Sequence, residues 1–221
     1  DISFIKILEK ALNKSLMDSL DLAVAEGLLD KRDDHYRFSH DRIQEAAYYI
    51  MNILDRCNFH FNYGMALAPL ASRMEDDGIL LTAVTQLNLA GTEAVQDKKQ
   101  YVIVANLNLR AGTIAMEMSD FGAAYSYFDY GISFLRKKHW DEHYDLSLQL
   151  FDSAAKCALT IGDLTSLELL SQEVITKAHF FEDKLNVTYF STCALAASSQ
   201  LPEAIEKGID VLSKLGIELR G

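Results

Sequence analysis

The chain changes from one sequence pattern to another within the stretch Tyr36-Arg37-Phe38-Ser39-His40-Asp41-Arg42-Ile43-Gln44-Glu45-Ala46-Ala47-Tyr48. Residues 36–38 alternate aromatic and polar side chains, which predicts a short strand. From Asp41 onward the apolar side chains recur at helical spacing, which predicts a helix with one apolar face. Ser39 is a favourable N-cap residue, and the Asp41 carboxylate suits the positive end of the helix dipole. We therefore expect a strand that leads directly into a helix, with His40 at the junction.

The residues before this junction predict a small mixed segment. Two stretches carry apolar side chains at helical spacing, residues 2–13 and residues 15–26. Ser15 is a plausible N-cap of the second helix, and Gly27 is placed to end it. Residues 28–38 then predict a β-hairpin. The order helix, helix, hairpin, helix is that of the back half of a winged helix, so we predict a winged-helix-like segment over residues 1–55.

The residues after the junction predict helices alone. Residues 56–73 and 79–89 have helical spacing, with Pro69 placed to kink the first helix or end it early. We treat residues 56–97 as connecting helices. From about residue 98 the pattern becomes a repeat, which we predict to continue to residue 221.

The repeat consists of small and large apolar side chains at the spacing of tetratricopeptide (TPR) helical hairpins. In such hairpins Gly and Ala let two helices approach closely, and an aromatic side chain fills the space between neighbours. The positions are Ala111, Gly112, Ala115, Ala124, Phe128 and Gly131 in the first unit, Ala154, Ala155, Ala158, Leu167 and Val174 in the second, and Leu195, Ala204, Gly208 and Val211 in the third. Asp120 and Asp163 lie at equivalent turns. The predicted fold is mainly α, a TPR-like solenoid preceded by a winged-helix-like segment with one β-hairpin.

Composition and charge exclude several classes of function. The formal net charge is −11 at pH 7, which repels nucleic-acid backbones and anionic lipid surfaces. No apolar run reaches the roughly 18 residues of a membrane span, and the first residues lack the pattern of a signal peptide. The three cysteines are far apart, which is typical of reduced thiols in a cytoplasmic protein. We expect no nucleic-acid or membrane partner, and we expect the sequence to be a segment of a longer protein.

One set of motifs resembles a known family. It comprises the run from Phe38 to Tyr48, then Arg56 and His60, Leu87-Asn88, Leu107-Asn108-Leu109-Arg110-Ala111-Gly112 with Ala115, Trp140 and Tyr144, and Asp183-Lys184. This set is similar to the region after the nucleotide-binding core in STAND-class, AAA-related signalling ATPases that are fused to serine/threonine kinase and histidine kinase domains. The run from Phe38 to Tyr48 is its most specific part.

The resemblance implies an ATPase core before residue 1, a winged-helix segment, and helical repeats that act as sensor or scaffold. It implies ATP or ADP in the parent protein and contacts with other domains of the same chain. Ser39, His40 and Asp41 match the triplet whose histidine, in related switch ATPases, faces the phosphates of bound ADP. An imidazole at a helix N-terminus is a reasonable anion contact. The sequence itself has no G-x-x-x-x-G-K-[ST] motif, so we expect no catalytic residue and no cofactor in this segment.

An alternative function is a metal-dependent hydrolase. The stretch His139-Trp140-Asp141-Glu142-His143 matches the pattern H-x-x-E-H, in which two histidines and a glutamate serve zinc catalysis. The candidate ligands are His139, Glu142 and His143, although no third protein ligand stands out downstream.

Two further possibilities concern binding. Tyr125 and Tyr127 lie in a dense aromatic stretch, where they either pack in the core or line a groove for a protein or peptide partner. A helical DNA-binding regulator is opposed by the net charge and by residues 15–26, which hold three acidic residues and no basic one.

Overall fold

The computed structural model describes residues 1–73 and 77–217 of the chain. It divides the chain into two compact units, Asp1–Gln100 and Tyr101–Gly221. We refer to them as unit 1 and unit 2. The predicted repeat region extends to residue 221, and its last four residues lie outside the described part.

The described residues are mainly helical, with twelve α-helices and one two-stranded sheet. The elements are α1 (Ile2–Leu12), α2 (Met17–Ala25), β1 (Leu29–Arg32), β2 (His35–Phe38), α3 (Asp41–Tyr49), α4 (Ile53–Arg73), α5 (Asp77–Ala90), α6 (Lys98–Glu117), α7 (Phe121–Ser133), α8 (His139–Glu142), α9 (Tyr144–Ile161), α10 (Leu164–Lys177), α11 (Leu185–Ala197) and α12 (Leu201–Lys214). Short 3-10 turns lie at Thr92–Ala94 and Glu182–Lys184. None of the described helices is both long enough and apolar enough to cross a membrane.

Unit 1 begins with the predicted order helix, helix, hairpin, helix. The strands pair antiparallel, with Leu29 opposite Phe38 and Arg32 opposite His35. Asp33 takes a left-handed φ of 50° in the two-residue turn between them. Helix α2 ends where predicted, because Gly27 follows with a φ of 73° that glycine adopts without steric cost.

The N-terminus of α2 is capped by a residue that the sequence did not indicate. We predicted Ser15 as the cap, but its hydroxyl donates to Asp18 at 2.9 Å and bonds no backbone amide. Glu9 on α1 accepts the backbone N–H groups of Leu16 and Met17 at 2.6 and 2.8 Å instead. A carboxylate from a neighbouring helix therefore satisfies two of the free amides at the start of α2.

The core of unit 1 lies between α4 and α5. Helix α4 begins at Ile53 rather than at residue 56, and it runs through Pro69 to its end. The two helices approach closely at Gly64, where an added Cβ atom would lie 2.5 Å from Leu87 Cγ. Their buried side chains include Leu67, Ala68, Ala71, Ile79, Leu80, Ala83, Val84, Leu87 and Ala90.

The described residues of unit 2 form three helical hairpins with the same turn geometry. In each turn a backbone N–H donates to the carbonyl five residues earlier at 2.9 Å, from Asp120 to Ala115, from Asp163 to Ala158 and from Gln200 to Leu195. The preceding residues, Ser119, Gly162 and Ser199, all have positive φ. Asp120 and Asp163 then cap the second helix of their hairpins through their side chains. The equivalence of these two aspartates is confirmed.

The small residues of the first two hairpins are buried as predicted. An added Cβ atom at Gly112 would lie 2.4 Å from the ring of Phe128, and one at Gly131 would lie 2.6 Å from Leu150. Phe128 is fully buried, so its ring cannot move aside easily. The third hairpin packs less tightly. Ala204 is buried there, but an added Cβ atom at Gly208 would have no atom within 4 Å.

The cysteines agree with the prediction of unpaired thiols. All three are free, and Cys157 is buried in α9 while Cys57 and Cys193 are half-buried. Burial raises the pKa of the Cys157 thiol to about 11, which keeps it protonated and unreactive.

Candidate functional site

The strand-to-helix junction has a different cap from the one predicted. His40, not Ser39, is the N-cap residue of α3, and its side chain makes no capping bond. Ser39 Oγ donates to the carbonyl of Gly27 at 2.8 Å and also lies 3.1 Å from the carbonyl of Leu28. The hydroxyl therefore ties the residue after β2 to the segment that follows α2.

His40 is exposed at this junction. Its backbone is extended, with φ −146° and ψ 144°, and its carbonyl accepts the N–H of Ile43 at 2.9 Å. Asp41 lies beside it in the first turn of α3. The predicted contact of Ser39, His40 and Asp41 with a nucleotide stays a prediction.

Helix α3 and the start of α4 expose a group of apolar side chains. The predicted helix is present, but the predicted apolar side chains Ala46, Ala47 and Ile50 are exposed, and Ile50 retains 86% of its accessible surface. The larger exposed side chains of this surface are Tyr48, Tyr49, Ile50, Ile53, Leu54 and Phe59. We call these six residues the α3–α4 apolar surface. Six large exposed apolar side chains within residues 48–59 are typical of a contact with another protein or domain.

A series of polar contacts holds two tyrosines of this surface in place. The Arg56 guanidinium lies over the rings of Tyr48 and Tyr49, 4.8 and 5.1 Å from their centroids. The Tyr48 hydroxyl lies 3.2 Å from His60 Nε2, and His60 Nδ1 lies 2.8 Å from Gln86 Oε1. The structure thus brings together Tyr48, Arg56 and His60, three residues that carry the family resemblance.

The predicted groove tyrosines lie in α7. Tyr125 is half-buried and packs against the cluster around Trp140 and Phe151. Tyr127 is also half-buried. Their role toward a partner stays a prediction.

The H-x-x-E-H residues do not lie on one continuous helix. His139 and Glu142 bound the short helix α8, and His143 follows it as the N-cap of α9 with φ −142°. His139 Nδ1 is 2.8 Å from Ser147 Oγ, and burial lowers the pKa of the His139 imidazole. Within residues 1–73 and 77–217 there is no group of three His, Cys, Asp or Glu side chains placed to hold a metal ion. The predicted ligands therefore do not form a metal site.

The residues of this stretch form a joint between the second hairpin and the segments that flank it, α8 before it and residues 178–184 after it. Trp140 Nε1 donates to Glu173 Oε1 at 3.0 Å, which ties α8 to α10. The Tyr144 hydroxyl donates to Asp183 and accepts a hydrogen bond from the backbone N–H of His179 at 2.9 Å. The Tyr144 ring also stacks on the His179 ring, with 4.4 Å between the ring centroids. Trp140, Tyr144 and Asp183 also belong to the resemblance, and the structure gives them packing roles.

Asp152 adds a second link at this joint. Asn186 Nδ2 of α11 donates to Asp152 Oδ2 of α9 at 2.7 Å, whereas Asp152 Oδ1 is buried without a partner among the described residues. Burial raises the pKa of the Asp152 carboxyl, the Asn186 bond opposes the shift, and the negative charge of Asp183 adds to it.

Comparison with known proteins gives one similarity. The chain is 21% identical over 207 residues to "Hybrid signal transduction histidine kinase G" of Dictyostelium discoideum. The match covers 83% of this chain but 6% of that kinase, so the chain spans a small part of its relative's length. No protein-family model matches the chain, and no solved structure matches it.

Proposed function

We propose that this chain is a non-catalytic regulatory and scaffold segment of a multidomain signalling protein that carries ATPase and kinase domains. In this proposal residues 1–55 are a winged-helix-like segment that transmits the nucleotide state, and the hairpins of residues 98–221 form a TPR-like solenoid that binds a protein or peptide. The likeness to a histidine kinase supports a signalling role. The parent protein would be cytoplasmic and would hold ATP or ADP outside this segment.

The proposal rests on the repeated hairpin of unit 2. The three turns share one backbone hydrogen bond and one positive φ at the same position, and the first two share an aspartate cap. Repeated hairpins stack because a single hairpin cannot bury its own apolar face, and the stack presents extended surfaces to partners. The mechanism of such a segment is binding and transmission, for which no reacting group is needed.

The α3–α4 apolar surface supports the transmitting role of unit 1. It follows the junction at His40 directly, so a domain that packs on it would also lie near the exposed imidazole. A change in the bound nucleotide could then alter the contact through both groups. The adjacent Arg56 and His60 contacts hold Tyr48 in position on this surface.

Partner binding is tested by disrupting the stack in the parent protein. We expect wild-type and Gly122→Ala proteins to retain a crosslinked partner and Gly112→Leu to lose it, because only Gly112 faces a buried ring at close range. Nucleotide binding by the parent protein should survive in all three and serves as the folding control. Equal recovery of the partner from a parent protein that lacks residues 98–221 would disprove the scaffold role.

Nucleotide coupling is tested separately at the junction. His40→Ala should weaken the retention of ADP by the parent protein, and His35→Ala is the matched control because that exposed histidine lies on β2. Release of labelled ADP, followed by filter binding, gives the measurement. Equal release rates for both variants would remove His40 from the mechanism.

A further inference from the structure

Helices α10, α11 and α12 enclose a groove of about 420 Å³ within unit 2. The volume lies within the range of roughly 300–1,000 Å³ that is usual for ligand sites. Its apolar side chains include Leu167, which is buried, and Leu195, which is half-buried. Its polar side chains include Ser171, Glu168 and Lys207.

Ser171 differs from the other hydroxyl-bearing residues in the helices of unit 2. Many of those hydroxyls donate to a carbonyl of their own helix, as in Ser126, Thr160, Thr176, Thr188 and Ser191. Ser171 is 3% exposed, and its Oγ has no hydrogen-bond partner among the described residues. A buried hydroxyl without a partner destabilises the fold, and such a group needs an explanation in a native structure. Because Ser171 lines the groove, a bound molecule can supply the missing partner.

Lys207 is a half-buried cationic side chain that lines the groove. Within the described part of the chain its ammonium forms no ion pair, unlike Lys214 of the same helix, which pairs with Asp210 at 2.6 Å. Burial lowers the pKa of Lys207, so an anionic ligand would stabilise its charged form. Glu168 also lines the groove, from α10, and does not pair with Lys207. The groove therefore offers one positive and one negative group that are free to bind a ligand with both an anion and N–H donors.

We propose that this groove binds a short peptide segment in which an acidic residue lies next to an apolar one. The acidic side chain pairs with Lys207, the apolar side chain packs on Leu167 and Leu195, and a backbone group of the peptide bonds Ser171. Backbone N–H groups of the same segment face Glu168. This assignment rests on the proposed function and names the chemistry of the partner that the hairpins bind.

The test is selection from a random heptapeptide phage library against the 221-residue chain, followed by titration of the best synthetic peptide. We expect the selected sequences to pair Asp or Glu with Leu or Ile. Lys207→Gln should weaken binding about tenfold or more, because a hydrogen bond to a charged group is lost. Lys214→Gln is the matched control on the same helix and should leave the affinity unchanged. Replacement of the acidic residue of the peptide by its amide should reproduce the loss in the wild-type chain.

Ser171→Ala provides a readout that a purely structural serine would not give. It should weaken peptide binding while leaving the Tm unchanged or higher, because it removes a buried hydroxyl that has no partner in the free chain. A fall in Tm without a change in affinity would overturn the role of Ser171. A selection without enrichment, or selected peptides that bind the Lys207→Gln chain equally well, would overturn the assignment of the groove. If the selected peptides bind the Lys207→Gln chain equally well, the hairpins still bind a peptide. The proposed function then stands, whereas the assignment of the groove is wrong.

Discussion

Residues 1–55 and residues 101–178 are both rich in helices, yet they bury very different numbers of side chains. Leu29 is the one buried apolar residue of the first region, and α1, α2 and α3 have none. In the second region α9 alone buries Leu146, Ser147, Leu150, Phe151, Ala154, Ala155, Cys157 and Ala158. The helical spacing of apolar residues in the sequence is nevertheless similar in both regions.

The difference shows that helical spacing and burial are separate properties of a sequence. Spacing determines which face of a helix is apolar, but burial requires a second element at short distance. Gly112 and Gly131 provide that short distance in the second region, since each lies against a large buried side chain of another helix. Helix α3 contains no glycine, and none of its side chains is buried. The first region therefore keeps an apolar surface that another domain can cover.

The largest effect on stability should come from truncating a large core side chain of the second region. Phe128→Ala should lower the free energy of unfolding by about 3–5 kcal/mol, because it leaves a cavity in a buried position. Ile50→Ala is the matched change in the first region, and it should alter stability by no more than about 0.5 kcal/mol because the side chain is exposed. Urea unfolding measures both. Similar losses for the two variants would show that Ile50 is buried in solution.

The next largest effect on stability tests the close approach of α6 and α7 at Gly112. Gly112→Ala should destabilise the chain by about 2 kcal/mol, because its new methyl group overlaps the buried ring of Phe128. Gly122→Ala introduces the same methyl group in α7, where the nearest atom is 3.8 Å away, and it should be neutral or slightly stabilising. Thermal unfolding of the two variants gives the comparison. A tolerated Gly112→Ala would mean that α6 and α7 are farther apart than described.

A smaller effect concerns the cap in the first region. Glu9→Ala should destabilise the start of α2 by about 1 kcal/mol, because the amides of Leu16 and Met17 lose their acceptor. Ser15→Ala should have little effect, since that hydroxyl bonds Asp18 rather than a backbone amide. Hydrogen exchange at the two amides is the measurement. Faster exchange in the Ser15 variant than in the Glu9 variant would restore Ser15 as the cap.

The smallest effect is a pH dependence in the second region. Burial raises the pKa of Asp152 in the folded state, so the folded chain holds this proton more readily than the unfolded chain. Stability should therefore fall as the pH rises from the ordinary carboxyl pKa through the raised one. Asp152→Asn should be more stable than wild type at pH 7, and the gain should shrink as the pH is lowered. Asp145→Asn, an exposed change in the same helix, controls for net charge.

The sequence predicts local structure best where residues close together in the chain determine that structure. The β-hairpin, the stop at Gly27 and the small buried positions around Gly112 follow from spacing over a few residues. The caps are less predictable, because Ser39 and Ser15 are sound candidates that bond other groups in the folded chain. A local pattern cannot show which of several nearby acceptors or donors will be closest.

The candidate sites depend on contacts between distant parts of the chain. Trp140 meets Glu173 because α8 packs on α10, and Tyr144 meets Asp183 because the turn after α10 lies near the start of α9. The groove at Ser171 requires three helices. The family resemblance selected Trp140, Tyr144 and Asp183 without indicating that they touch. Ser171 had no signal in the sequence, because an unpaired hydroxyl is recognised only once its surroundings are known.

The position of the single tryptophan makes the two units distinguishable by spectroscopy. Trp140 is 6% exposed and lies within 6 Å of the rings of Phe151, Tyr144 and His139, whereas unit 1 contains no tryptophan. Intrinsic fluorescence at long excitation wavelengths therefore reports the packing of α8 against α9 and α10 in unit 2. Far-ultraviolet circular dichroism reports the helices of both units. Unfolding curves from the two signals coincide if the units melt together and separate if they melt independently.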